Sequence, residues 1–302
     1  MTLVNLAPIV LFVYNRPWHT QQTVEALQKN ELVSESELFI YSDEAKNKDV
    51  QKSVDEVRDY IAKIKGFKKV TIIKRSKNLG LDPSIIDGVT EIVNRYGKII
   101  VLEDDIVTST YFLKFMNESL EFYENKKEVW HVSGWNYPID TEGLGDVFLY
   151  RLMNCWGWAT WADRWRYYES NIQLSTKKFS NIQINKLNLS INMNNFWSQV
   201  SVNLKEKDSN WDIRWYVTIF NHQGLCLNPS QSFVENIGID GSGVHCGDNN
   251  IFISQLSLKK HIKFTDVLKE NDIALEKIQK FYLSQKKSFL ERVLNKIKRF
   301  IK

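Results

Sequence analysis

The chain reads as an α/β fold: a mostly parallel sheet flanked by helices, then a smaller antiparallel and helical region and a C-terminal amphipathic helix. Three observations lead there. Short, continuously apolar runs alternate with helical stretches four times before Lys127, and strands apolar on both faces belong to parallel sheets covered on both sides. Each run stops at polar or charged groups, namely Arg16, Asp43, Arg75 with Asn78, and Glu103 to Asp105. In open α/β sheets, ligands bind just past the carboxyl ends of the strands. After Lys127 the character changes, with six of the ten Trp between Trp130 and Trp165.

In order, Ile9 to Tyr14 is a strand, followed by a turn at Arg16-Pro17 and a helix from about Trp18 to Leu32. Leu38 to Tyr41 is a second strand, and Val50, Val54, Val57, Ile61 and Ile64 form the apolar stripe of a second helix. Val70 to Ile73 leads through Asn78-Leu79-Gly80 to a helix carrying Ile85, Ile86, Val89, Ile92 and Val93. Ile99 to Leu102 is the fourth strand, and a helix bearing Phe112, Phe115, Met116, Leu120 and Tyr123 follows the acids. Val129 to Ser133 and Val147 to Arg151 read as added antiparallel strands. Residues 170–195 show little periodicity and read as a surface excursion. Helices are expected around 196–206 and 211–222, and a Gly/Asn/Ser/Asp-rich functional loop over 228–250. The domain reading is a nucleotide-sugar half (1–128), an acceptor-side half (129–255) with a closing loop at 235–247, and a helical tail (256–302).

Composition narrows the function. The formal charge of +4 belongs to the tail, where residues 286–302 carry seven Lys or Arg against Glu291. A nucleic-acid-binding reading of the whole chain is therefore weak. The three Cys show no C-x-x-C pairing, which suits a reducing, cytoplasmic setting without zinc. The apolar run Ala7 to Tyr14 is too short for a signal or spanning helix. No G-x-G-x-x-G follows the first strand and no Walker loop is present, which counts against dinucleotide and P-loop enzymes.

The sharpest feature is Glu103-Asp104-Asp105, three carboxylates at the end of the fourth strand. Adjacent acids repel one another, so a cation should compensate them. A divalent metal, Mn2+ or Mg2+, carrying a phosphorylated substrate is the economical answer; a calcium site or a solvated loop are the competing ones.

Four blocks, VLEDDIVTSTYFLKF, WHVSGWNY, FLYRLMNCWGWATWADRW, and NWDIRW followed by NPSQSFVENIGIDGSGVH, carry a resemblance over about residues 7 to 247. The chain resembles a GT-A glycosyltransferase, and more narrowly the family of the inverting N-acetylglucosaminyltransferase that starts complex N-glycans. The resemblance implies a metal-dependent, inverting transfer from a nucleotide-sugar, most simply UDP-linked, to a glycan or lipid-linked acceptor. Asp105 matches the direct metal ligand, and Glu103 and Asp104 match positions at the ribose and donor sugar. Asp43 matches the acid that accepts from uracil, with Glu44 as its neighbouring alternative, and Arg16 an arginine near the nucleotide. Arg75 and Asn78 enter the set by strand order alone, with capping or surface roles as alternatives.

Inverting transfer needs a base opposite the leaving group. Asp212 in Trp211-Asp212-Ile213-Arg214-Trp215 matches that base, although the positions after it depart from the family's W-D-D-W; an N-cap role for the helix is the alternative. Trp211 and Trp215 are expected to desolvate it partly. Ser242 and His245, in the Gly-containing loop that resembles the family's closing loop, could reach phosphate oxygens; a plain surface histidine is the alternative for His245. Trp156 and Trp158 flank Gly157 where the family has a short element beside the donor sugar, against the usual default of Trp in a core.

The tail places Phe289, Leu290, Val293, Leu294, Ile297, Phe300 and Ile301 on one face and bases on the other. It suits an anionic membrane surface, hence a peripheral protein on the inner face of the cell membrane; docking on its own domain or on a second copy, as in a homodimer, is the alternative. Two rival functions stay open: a retaining GT-A transferase, and a carbohydrate-binding or scaffold protein on a decayed transferase fold.

Overall fold

A computed structural model describes residues 5–190, 195–205, 210–240 and 250–285. The apolar runs become four parallel strands, β1 (Ile9–Val13), β2 (Glu37–Ser42), β3 (Lys69–Lys74) and β4 (Lys98–Glu103), in the order β3-β2-β1-β4. Every side chain of β1 is buried, whereas the edge strand β3 is half-buried. Between them run α1 (Pro17–Gln28), α2 (Lys48–Ile61) and α3 (Leu81–Tyr96). Pro17 sits in the first turn of α1, where its missing N–H is harmless. Asn47 caps α2 by accepting from the amides of Asp49 and Val50.

Beyond β4 the chain turns at Asp104-Asp105 into β5 (Ile106–Thr108), then α4 (Phe112–Tyr123), β6 (Val129–Ser133), β7 (Val147–Tyr150), β8 (Trp158–Trp161) and α5 (Ala162–Trp165). Four short helices follow: α6 (Ile172–Thr176), α7 (Asn181–Leu187), α8 (Asn195–Lys205) and α9 (Trp211–Asn221). β9 (Leu225–Pro229), β10 (Val234–Asn236) and α10 (Asp272–Ser284) complete the described strands and α-helices.

The sheet continues β4-β8-β6-β9-β7, with β8 antiparallel to both neighbours, β6 and β9 parallel, and β7 antiparallel to β9. The two halves expected from the sequence therefore share one eight-stranded sheet. A separate two-stranded sheet pairs β10 antiparallel with β5, matching Asn236 to Ile106.

The expected surface excursion at 170–195 instead holds α6 and α7, and Ile172, Leu187 and Leu189 are buried. Side-chain caps from Asn171 and Ser180 start these helices. Each is too short to display a period, which is why the pattern looked irregular. Residues 286–302, the basic amphipathic stretch, lie outside the described residues. Ahead of them, α10 buries Ala274 and Ile278 against the body. No described helix is long and apolar enough to cross a membrane.

Candidate active site

In the order β3-β2-β1-β4, β1 and β4 flank the point where the strand sequence reverses, and their ends open one crevice. Arg16 leaves β1 there and the acids leave β4. The Arg16 guanidinium pairs with Asp104 and, at 2.8 Å, with Asp105. Thr23 of α1 donates to the Asp104 carbonyl at 2.9 Å, fixing the turn from behind. Asp104 and Asp105 are 5% and 7% exposed, so their charges are largely cut off from water.

One guanidinium does not balance this cluster. Burial pushes the Glu103 carboxyl well above the usual carboxylate range, and the charges of Asp105, Asp104 and Asp212 push it further. Burial also raises Asp104, against the opposing pull of Arg16. Among the described residues the crevice thus holds buried hard oxygen donors with Arg16 as their paired cation, a donor set that suits Mn2+ or Mg2+. Among the described residues no ready-made group of three or more metal-binding side chains is assembled; Arg16 stands where part of the compensating charge would go.

Asp43, at the end of β2, has a different set of partners. Its carboxylate accepts from the amides of Leu79 (3.0 Å) and Gly80 (2.9 Å) and from the side chain of Asn78 (3.1 Å). Sequence reading gives this acid to a nucleobase; here both oxygens organise the turn that opens α3. Asn78 also donates to the Glu44 carbonyl at 2.7 Å. Arg75 lies over the Tyr41 ring and pairs with Asp87. Arg58, which no motif singled out, joins the strand ends by binding Glu44 (2.9 Å) and the carbonyls of Asp43 and Arg75.

Asp212 sits in the first turn of α9, half-buried, a favourable place for an acid. Trp211 and Trp215, one turn apart, bury themselves on the inner side of the helix, at 3% and 0% exposure. Trp211 stacks on Trp158 at 5.2 Å, and the Trp215 indole donates to Nδ1 of His131 at 3.3 Å. Burying large apolar side chains stabilises by roughly 1.5–3 kcal/mol each, so these two rings clamp the helix that carries Asp212. Trp158 is itself fully buried in β8 and reaches the site through this stack, whereas Trp156 is half-buried and lines the cleft. Asp212 opens onto a cavity of about 250 Å3, and its charge is felt by Glu103 and by Cys155 in the cavity wall.

The expected closing loop begins on the acids. β10 pairs with β5, the Ile237 amide donates to the Asp105 carbonyl at 2.9 Å, and Gly238 lies against the Asp105 carboxylate. A Cβ at 238 would overlap Asp105 Oδ2 and stand 2.9 Å from Arg16 Nη1, so only glycine fits. Asp240 meets His19 of α1 at 3.0 Å, a pairing the sequence did not suggest. Ser242 and His245 lie outside the described residues.

No family model matches the chain, and no curated protein matches it. Solved structures do. A crystal structure of S. aureus TarS 1-349 aligns with a TM-score of 0.42 and 9% identity over 76% of this chain and 60% of that one. A second, of S. aureus TarS, gives 0.43 and 8% over 76% and 36%. The mannosyltransferase PcManGT from Pyrobaculum calidifontis, in complex with GDP-Man and Mn2+, gives 0.38 and 9% over 53% and 46%. The chain spans less than two thirds of the length of each. Likeness this distant says nothing of what the chain acts on. The architecture stands on its own strands: a mixed α/β fold with a large, mostly parallel sheet flanked by helices and a small antiparallel sheet beside it.

Proposed function

We propose that the chain is a metal-dependent, inverting glycosyltransferase that moves a sugar from a UDP-sugar to a hydroxyl of a glycan or lipid-linked acceptor. One observation carries the reading. At the switch point of the sheet, Asp104 and Asp105 pair with Arg16, while Asp212, whose charge acts on the buried Glu103, lines an aromatic cavity. The resemblance to the N-acetylglucosaminyltransferase family supports the finer assignment.

Asp105 would hold Mn2+ or Mg2+, with Glu103 and Asp104 toward the ribose and donor sugar. Such a cation, when bound, offsets the charge that develops on the departing diphosphate. Arg16 adds a fixed positive charge on the same side. Asp43 shapes the base pocket by holding Asn78, Leu79 and Gly80 in place. Asp212 takes the proton from the acceptor hydroxyl as its oxygen attacks the anomeric carbon from the face opposite the diphosphate. The anomeric C–O bond breaks and its electron pair leaves with UDP, so the configuration inverts. Trp156 offers a ring face beside the transferred sugar.

Incubating the full chain with Mn2+ and a panel of UDP- and GDP-sugars tests this by release of free nucleotide, with NMR of the product reading the anomeric configuration. Metal-dependent UDP release and an inverted product are expected. A binding module would release none, and a retained configuration would remove Asp212 from its role.

A further inference from the structure

The helical excursion carries a charge pattern of its own. Between Ser170 and Lys205 the sequence holds four Lys (Lys177, Lys178, Lys186 and Lys205) and no acid. Acids stand just outside it, Glu169 before the stretch and Glu206 and Asp208 after it. All four Lys are exposed. Large apolar side chains also meet water here, with Leu174, Ile182 and Val202 at 62%, 71% and 42% exposure.

Helix geometry ties the two sets together, because residues at i, i+3 and i, i+4 share a face. On α6, Leu174 stands in that relation to Lys177 and Lys178; on α7, Ile182 to Lys186; on α8, Val202 to Lys205. The inner faces are used otherwise, since Ile172, Leu187, Val200 and Asn203 are buried. α6 and α7 both pack on α8, so the outward stripes belong to neighbouring helices.

One exposed apolar side chain is ordinary. Three neighbouring helices that each set one beside a Lys follow the pattern of an interfacial helix. There the apolar groups enter the acyl boundary while the Lys stems reach back to the headgroups. A soluble polyanion would use the Lys but gain nothing from Leu174 or Ile182. A second copy seated on the same patch would set Lys against Lys.

We propose that the outer face of α6, α7 and α8 is a docking surface for an anionic lipid bilayer. Its place in the fold supports this. α8 lends Phe196 and Gln199 to the wall of the cavity beside Asp212, and Tyr282 of α10 lines the same wall. α10 is held to this region, with Gln279 donating to the Leu189 carbonyl at 2.6 Å and Tyr282 edge-on to Phe196 at 5.9 Å. The described chain ends one turn past that contact, and the sequence that follows carries seven Lys or Arg against Glu291. On the transferase reading, a bilayer docked here lies beside the acceptor cavity, which favours a lipid-linked acceptor over a soluble glycan.

Co-sedimentation of the full chain with vesicles, without metal or donor, tests the docking. Vesicles of phosphatidylcholine mixed equally with phosphatidylglycerol are expected to bind at least about ten-fold more tightly than phosphatidylcholine alone. Lys177→Glu, Lys178→Glu and Lys186→Glu together should weaken that binding by about ten-fold or more. Leu174→Ser with Ile182→Ser, which leaves the charge unchanged, should weaken it by about five-fold or more. Binding to neither vesicle overturns the proposal. So does binding that both sets of changes leave intact, which would assign it to residues 286–302. Sensitivity to the Lys changes alone, matched by binding of double-stranded DNA, would mark a polyanion site instead. A dimer seen by light scattering and lost in the Leu174→Ser, Ile182→Ser variant would give the face to a second copy. Failure of the transferase reading shows separately, as missing metal-dependent UDP release in solution.

Discussion

Gly238 lies directly against the Asp105 carboxylate, leaving no room for a side chain between the strand that follows the acids and the segment that crosses back over them. Gly238→Ala would force apart Asp105, Arg16 or both, and overpacking of this kind costs about 1–3 kcal/mol. We expect a lower melting temperature and a fall in kcat/KM for the donor of ten-fold or more. Both follow from thermal melts and nucleotide-release kinetics; an unchanged kcat/KM would show that the contact does not hold Asp105 in place.

Asp105 and Asp212 should fail in different ways. Asp105→Ala is expected to abolish the rise in melting temperature given by Mn2+ with UDP-sugar. Asp212→Asn should keep that rise and lose turnover by about 10²- to 10⁴-fold, the usual range for removing a general base. Calorimetric melts beside initial rates separate the two, and full turnover by the Asp212 variant would end its assignment.

Asp43 satisfies the half-buried amides of Leu79 and Gly80. Asp43→Ala leaves them unpaired, at a cost of about 1–3 kcal/mol, and loosens the turn beside the nucleotide. The expected signature is a higher KM for donor with kcat little changed. A variant with wild-type stability would show that water replaces the carboxylate at no loss.

His131 makes stability depend on pH. Its Nε2 donates to the Asn154 carbonyl at 3.0 Å while Nδ1 accepts from Trp215, so the ring is held neutral. Burial pushes its pKa from 6.5 down to about 3. Below 6.5 the unfolded chain takes up a proton that the folded chain refuses until about pH 3. Stability is therefore full above pH 6.5 and falls as pH drops through that window, by up to about 1.4 kcal/mol per unit from this residue. Urea melts between pH 8 and 5 should show the slope, and His131→Gln should flatten it while lowering stability at pH 8.

The parallel half was legible because its strands are buried on both sides, so Ile9 to Val13 and Ile99 to Leu102 are apolar without interruption. The acids and Arg16 stood out because charge next to such runs has few structural uses, whereas Asp212 was marked only by the family resemblance of its Trp-Asp segment. β8 hid inside a Trp-rich stretch that aromatic content alone cannot divide into strand and turn. β5 and β10 are three residues each, too short for any period. Arg58, His19 and Tyr282 sit in ordinary helical surroundings, and only the tertiary fold turns them toward the crevice. The partners of Asp43 escaped notice for a related reason: a carboxylate bound by backbone amides leaves no mark on the identity of its partners.

Arg16 acts as a resident counter-ion for Asp104 and Asp105. A free divalent ion approaching alone must compete with a tethered guanidinium already seated there. On the proposed function, an ion arriving together with a diphosphate would meet less of a contest, because the phosphates would offer the displaced arginine a new partner, and metal and donor would load together rather than one after the other.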